Sequence, residues 1–133
     1  MDIQAIQQAL ADAAGAITGL NTFPSLPDAI EPPTFAPIEL ELTYHRTFGN
    51  LSEILFTCGI YVSRGDSETG RALLVGYLAE SGDTSIAAAL EADQTLGGAA
   101  KALVVERARG AYRLYTIAGT DYLGTNFDVR VWS

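Results

Sequence analysis

The octapeptide Gly65-Asp66-Ser67-Glu68-Thr69-Gly70-Arg71-Ala72 has the glycine spacing of a phosphate-binding loop and falls between an expected strand and an expected helix. Such a loop needs a lysine to reach the phosphates and a hydroxyl to hold magnesium. Here Arg71 and Ala72 stand at those positions, and Asp66 and Glu68 bring negative charge. Acids are favoured at the positive end of a helix dipole, so the stretch reads as a solvated helix entry. His45 alternates along a strand with Glu39 and Glu41, and Glu53 is one candidate for the residue across the hairpin from it. A histidine and a carboxylate can share a proton or a metal ion, but one imidazole without a second imidazole or a thiolate makes a poor ligand set. His45 therefore reads as a surface or interface residue. Cys58 sits between Phe56 and Ile60 on an apolar strand face, where a buried thiol is inert. The chain holds no Gly-x-Ser-x-Gly elbow, no His-Glu-x-x-His pair and no cysteine cluster. The expectation is a protein without catalytic, cofactor-binding or metal-binding residues, and not an enzyme.

The elements that would position these residues are set by periodicity. Ile3, Ile6, Leu10, Ala13 or Ala14 and Ile17 recur at spacings of three and four and predict an amphipathic helix over 3–17, with Asp2 as its N-cap. All five prolines lie between 24 and 37, which predicts an extended connector with a short edge strand at its start. Ile38, Leu40, Leu42 and Tyr44 alternate with Glu39, Glu41, Thr43 and His45, the pattern of a half-buried strand. After a Gly49-Asn50 turn, Ile54, Phe56, Cys58, Ile60 and Val62 share one face of a second strand, completing an antiparallel hairpin. Helices are expected from Ser67 to a stop at Gly82 and from Ile86 to Asp93. Three closing strands are expected, turning at Arg109-Gly110-Ala111 and at Ala118-Gly119-Thr120-Asp121. This order predicts an α+β fold: an antiparallel or mixed sheet with an N-terminal helix and two central helices packed on one face.

Composition bounds the class. A chain of 133 residues is the size of one domain, and 48% hydrophobic against 18% charged residues gives enough apolar material to fold. The net charge of -8 is the wrong sign for gripping nucleic acid by its phosphates. No run is long enough to cross a bilayer, the N-terminus lacks the pattern of a secretory signal, and a lone cysteine fits a reducing cytoplasm, so a soluble, non-exported protein is expected.

One longer pattern stands out. Ala89-Leu90-Glu91-Ala92-Asp93-Gln94-Thr95-Leu96-Gly97-Gly98-Ala99-Ala100, then Val104-Val105-Glu106 and Tyr122-Leu123-Gly124-Thr125-Asn126-Phe127-Asp128-Val129, resembles the tail terminator proteins of long-tailed bacteriophages, especially those infecting actinobacteria. The opening helix, the proline-rich connector at 27–33 and the Tyr-x-Arg-Thr-Phe segment at 44–48 are similar in order and length. The resemblance extends over nearly the whole chain, and its motifs are structural.

It implies a structural virion protein, a single domain over 1–133, that assembles as a six-membered ring on the tail tube. The ring would stop tube polymerisation and join the tail to the head connector or stopper protein, with DNA passing through without specific binding. Localisation would be the virion, after synthesis in the host cytoplasm. A head-to-tail stopper, a tail tube subunit, or a small cytoplasmic enzyme or ligand-binding domain are the alternatives. From placement alone, Tyr44, Arg46, Phe48, Tyr112, Tyr115 and Trp132 are candidates for the oligomer or tube interface, since tyrosine and tryptophan anchor interfaces well. Glu39 and Glu41 are candidates for acids lining the channel, where negative charge repels DNA.

Overall fold

The computed structural model describes residues 3–43, 53–63 and 67–132. Helix α1 spans Ile3–Ala14 and buries Ile6, Leu10, Ala11 and Ala14, the stripe expected from the spacing of three and four. It stops three residues before the predicted end, and Ile17 is buried beyond it through a turn in which its N–H donates to the Ala14 carbonyl. A two-residue strand β1 (Asn21–Thr22) comes next, then β2 (Thr34–Thr43), β3 (Glu53–Ser63), α2 (Ser67–Leu78), α3 (Ile86–Glu91), a 3-10 turn over Leu96–Gly98, β4 (Ala102–Ile117) and β5 (Thr120–Trp132). The α+β class with an N-terminal helix and a mixed sheet is as the sequence predicts. The sheet runs β1-β2-β3-β5-β4, with β1 parallel to β2 and every other pair antiparallel.

Register explains the core. Ile54, Phe56, Cys58, Ile60 and Val62 of β3 lie opposite Val131, Val129, Phe127, Thr125 and Leu123 of β5. All ten are buried. One core cluster joins all of them except Thr125 to Phe35 of β2, Leu103 of β4, and Ile6, Leu10, Leu74, Tyr77, Ile86 and Leu90 of the helices. Burying apolar area of this kind is the main favourable term in folding. The other face of the same strands carries Glu53, Thr57, Asn126, Asp128 and Arg130, together with Arg107 and Arg109 of β4.

Several expectations require correction. The chain closes with two strands, not three: Arg109-Gly110-Ala111 lies inside β4, where the pairing with β5 shifts register between Arg109 and Arg113. Extra residues there form a bulge, and Gly110 takes φ 67, a backbone state that glycine enters without the Cβ clash of other residues. The true turn is Ala118-Gly119, with φ 52 and φ 81, the pair of left-handed residues that a tight hairpin requires. Second, β2 begins at Thr34, inside the proline-rich segment, and the short edge strand lies at Asn21–Thr22. Pro37 is tolerated because β1 covers only Thr34 and Phe35, which leaves this part of β2 at an edge. Third, the β2–β3 register slips between Pro37 and Glu39, so Ile38 is exposed and does not join the apolar face. The helix from Ser67 ends at Leu78, short of the expected stop at Gly82, and the helix from Ile86 ends at Glu91, two residues earlier than expected. The predicted Asp2 cap and the Gly49-Asn50 turn lie outside the described residues.

Candidate functional site: the polar face of the sheet

The polar face is organised by Asp128. Its neighbours across the strands are Thr57 on β3 and Arg107 on β4. Arg107 donates from Nε to Asp128 Oδ2 at 2.6 Å, and Arg109 Nε donates to Oδ1 at 3.1 Å. The Asp128 side chain is 3% exposed while the two arginines remain 67% and 48% exposed, so long cationic side chains roof over a short anionic one. Burial pulls the Asp128 carboxyl upward. Hydrogen bonds from Arg107 and Arg109 and their positive charges outweigh it, and the carboxyl is held below the usual carboxylate range. Arg109 also donates from Nη2 to Thr57 Oγ1 at 3.3 Å, and its carbonyl accepts from Thr125 Oγ1 at 3.1 Å.

A second bridge lies two residues further along β5. Arg130 pairs with the buried Glu53 of β3 and with Glu106 of β4. Charge-assisted pairs of this kind tie three strands together with fixed geometry. Asn126, opposite Arg109 and Gly59, buries an Oδ1 that has no hydrogen-bond partner among the described residues.

Glu39 and Glu41 are exposed on β2, opposite Thr57 and Leu55. They line a cleft of about 170 Å³ together with Thr57, Arg107, Arg109 and Asp128, so the polar face is concave enough to bring β2 acids and β4 bases to one depression. Tyr115, a candidate interface residue, is half-buried and engaged within the chain. Its ring meets Tyr61 edge-on at 5.4 Å and 72°, and its hydroxyl donates to the Gly110 carbonyl at 3.3 Å. These rings lie over backbone that has no side chain: a Cβ on Gly124 would meet the Ile60 carbonyl at 2.6 Å and both tyrosines at 3.0 Å. Burial, with Tyr115 nearby, pushes the Tyr61 phenol up to about 12. Trp132 is half-buried beside Glu53 and Ala102. Tyr112 lies in the β4 bulge region, and its side chain is outside what the structure describes. Tyr44, Arg46, Phe48 and His45 also lie outside the described residues.

The segment that carries the family resemblance has a structural role. Asp93 accepts from Thr95 Oγ1 at 2.6 Å, from Thr95 N at 3.0 Å and from Gly97 N at 2.9 Å, which holds its carboxyl below the usual range. This Asx-type turn swings the chain from α3 into β4, with Leu96 buried and Gly97 and Gly98 at φ 66 and 97. Between α1 and this turn lies a groove lined by Ala9, Ala13, Ala16, Ala89 and Ala92, with Asp12 and Asp93 as its charged lining. Ser67 opens α2 as expected, while residues 64–66 of the phosphate-loop-like stretch lie outside the described residues.

Cys58 is fully buried, and burial drives its thiol far above the ordinary value. Among the described residues no group of three His, Cys, Asp or Glu side chains is placed to hold a metal, and no helix is long and apolar enough to cross a membrane. Sequence reasoning misses the arginine bridges. Their signal is the Arg-x-Arg of β4 facing the Asp-x-Arg of β5, and it is hidden because Arg109-Gly110-Ala111 reads as a turn. In comparisons with known proteins, no family model and no curated sequence matches this chain.

Proposed function

We propose that this protein is a structural assembly subunit, a tail terminator that forms a ring on the end of a phage tail tube, halts its growth and joins it to the head connector. The observation that carries this reading is the open sheet. Strand β4, sixteen residues long, has no strand partner on its outer side among the described residues, and β2 beyond Phe35 has none on its own outer side. A long unpaired edge is a template for another chain, and a closed ring needs two unlike complementary surfaces on each subunit. The two edges differ in charge and in partner strands, which suits a head-to-tail contact. The sequence pattern at 89–106 and 122–129 supports the tail terminator over other ring-forming classes.

Within this reading Glu39 and Glu41 face the DNA channel along with Arg107 and Arg109 of the same polar face, and the overall net charge of -8 disfavours retention of a passing duplex. The test is native mass spectrometry and negative-stain imaging of the purified protein, alone and with tail tubes. Rings are expected, hexamers by the resemblance. A protein that stays monomeric with tubes and binds nucleotide would overturn the reading in favour of a small ligand-binding domain or enzyme. In phage lacking the gene, tails of abnormal length unattached to heads are expected, whereas free tails of normal length would point to a stopper.

A further inference from the structure

Charge is unevenly distributed along this chain. Thirteen of the sixteen acids precede residue 100, whereas five of the eight bases are Lys101, Arg107, Arg109, Arg113 and Arg130. The topology turns this asymmetry into two unlike edges. The β2 edge carries the exposed Glu39 and Glu41, and the β4 edge carries Arg107, Arg109 and Arg113, of which Arg107 and Arg109 lean inward to Asp128 yet stay 67% and 48% exposed.

We infer that β4 of one copy pairs antiparallel with β2 of the next, in the register that sets Arg109 opposite Glu39, Ala108 opposite Leu40 and Arg107 opposite Glu41. The inference rests on the ring reading and specifies its contact. Strand sense is fixed by topology. Across β2, β3, β5 and β4 every pair is antiparallel, so β4 runs opposite to β2. A rotation that continues the sheet around a ring, about an axis running roughly along the strands, preserves strand sense and brings unlike edges together as an antiparallel pair.

Face parity is fixed by register. Directly opposed residues share a face, and Glu39, Glu41, Arg107 and Arg109 all lie on the polar face, while Leu40 and Ala108 lie on the core face. One register therefore satisfies both charge pairs at once. A slip of one residue would place each charge against the apolar face of the other strand.

Two further features delimit the contact. Glu91 Oε2 accepts the Val105 N–H at 3.4 Å, and the pairing of β4 with β5 slips on both sides of Arg107–Arg109. The window between the two slips is three residues long, and the irregularities on either side set it apart from the runs Ala102–Val105 and Arg113–Ile117. Beside that window lies an open groove of about 390 Å³ whose lining includes Leu78, Ala79, Ala87, Val105, Ala108 and Phe127. The small Ala108 leaves room there for the incoming Leu40.

The test introduces Leu40→Cys and Ala108→Cys together. Under mild oxidation a reductant-sensitive ladder of covalent oligomers is expected, because directly opposed residues are close enough for a disulfide. Cys58 is buried and stays silent. Each single substitution, and the offset pair Leu42→Cys with Ala108→Cys, should give no ladder. Dimers from Ala108→Cys alone would overturn the inference in favour of symmetric β4–β4 pairing. Rings seen by native mass spectrometry without the 40–108 cross-link would overturn the pairing and leave the ring reading standing. Monomers under all conditions would overturn both. Should the cysteine variant fail to fold, Glu39→Arg with Glu41→Arg alters only exposed side chains. It should give a folded monomer, and rings of undiminished salt resistance would overturn the pairing.

Discussion

Arg109 donates from Nη2 to Thr57 Oγ1 at 3.3 Å, so a side chain rooted on the outermost strand reaches over β5 to β3 and holds Asp128 on the way. One residue thereby connects three strands on a face where an apolar core cannot do so. The consequence is that Asp128, not an apolar contact, sets the relative placement of β3, β5 and β4 on that side.

Asp128→Asn keeps the shape and removes the charge. It should destabilise the fold by about 1–3 kcal/mol, the range for hydrogen bonds to charged groups. Urea unfolding at neutral pH measures this as a lower midpoint with an unchanged slope.

The same carboxyl predicts an acid limb. Its folded pKa lies below the unfolded value of about 3.9, so its contribution is complete well above that value and is lost as pH falls through the folded pKa. Stability of the wild-type protein should therefore decline more steeply below about pH 4 than that of Asp128→Asn. Parallel acid limbs for the two proteins would show that Asp128 is not the group responsible.

Gly124→Ala should cost about 3 kcal/mol, the upper end for overpacking, because the new methyl meets a main-chain carbonyl that cannot swing away. Gly119→Ala meets nothing and incurs only the left-handed backbone cost of about 1 kcal/mol. Thermal melts of the two variants should separate clearly, and equal losses would contradict the close packing of Tyr61 and Tyr115 around Gly124.

Tyr61 should ionise late. Its folded pKa of about 12 exceeds the unfolded value of about 10, so its stabilisation is intact below pH 10 and is lost as pH rises towards 12. An ultraviolet phenolate titration should show a late phase that is smaller in Tyr61→Phe, the remainder belonging to Tyr77, whose phenol burial also pushes up.

Cys58, buried and with its thiol pushed up, should resist a soluble thiol reagent in the native protein and react fully in denaturant. Fast labelling of the native protein would place Cys58 outside the core.

Much of this architecture is legible in the sequence where period two runs uninterrupted. In β3 the alternation from Ile54 to Val62 is intact, and every expected core residue is buried. In β4 it is not. The one extra residue at Glu106 inverts the parity of the residues beyond it, the two around Gly110 break the pairing without inverting it again, and Arg109-Gly110-Ala111 looks like a turn. The site suffers from the same break, since unbroken alternation would put Arg107 and Arg109 on the apolar face with Leu103 and Val105, and only the extra residue at Glu106 turns them to the polar face. In β2 the prolines signal a connector, because a strand that accepts Pro37 can be recognised only when its neighbour is known to be two residues long. Glu39 and Glu41 are readable as exposed acids. Their place in one depression with the β4 arginines depends on the curvature of four strands, which no local pattern encodes.

The strand order also governs how the molecule must be made. Strand β5, the last in sequence, lies between β3 and β4. Synthesis delivers every other strand first, so the sheet cannot grow in step with the emerging chain. The two-residue turn lets β5 close on β4 with little loop entropy, whereas β3 meets β5 across a gap of more than fifty residues. Until that late event the apolar face of β3 is uncovered by its strand partner, and the basic edge of β4 lacks the strand that shapes it. The described sheet therefore cannot close until β5 has emerged, and the pairings of β3 and β4 with it form together at the end of synthesis.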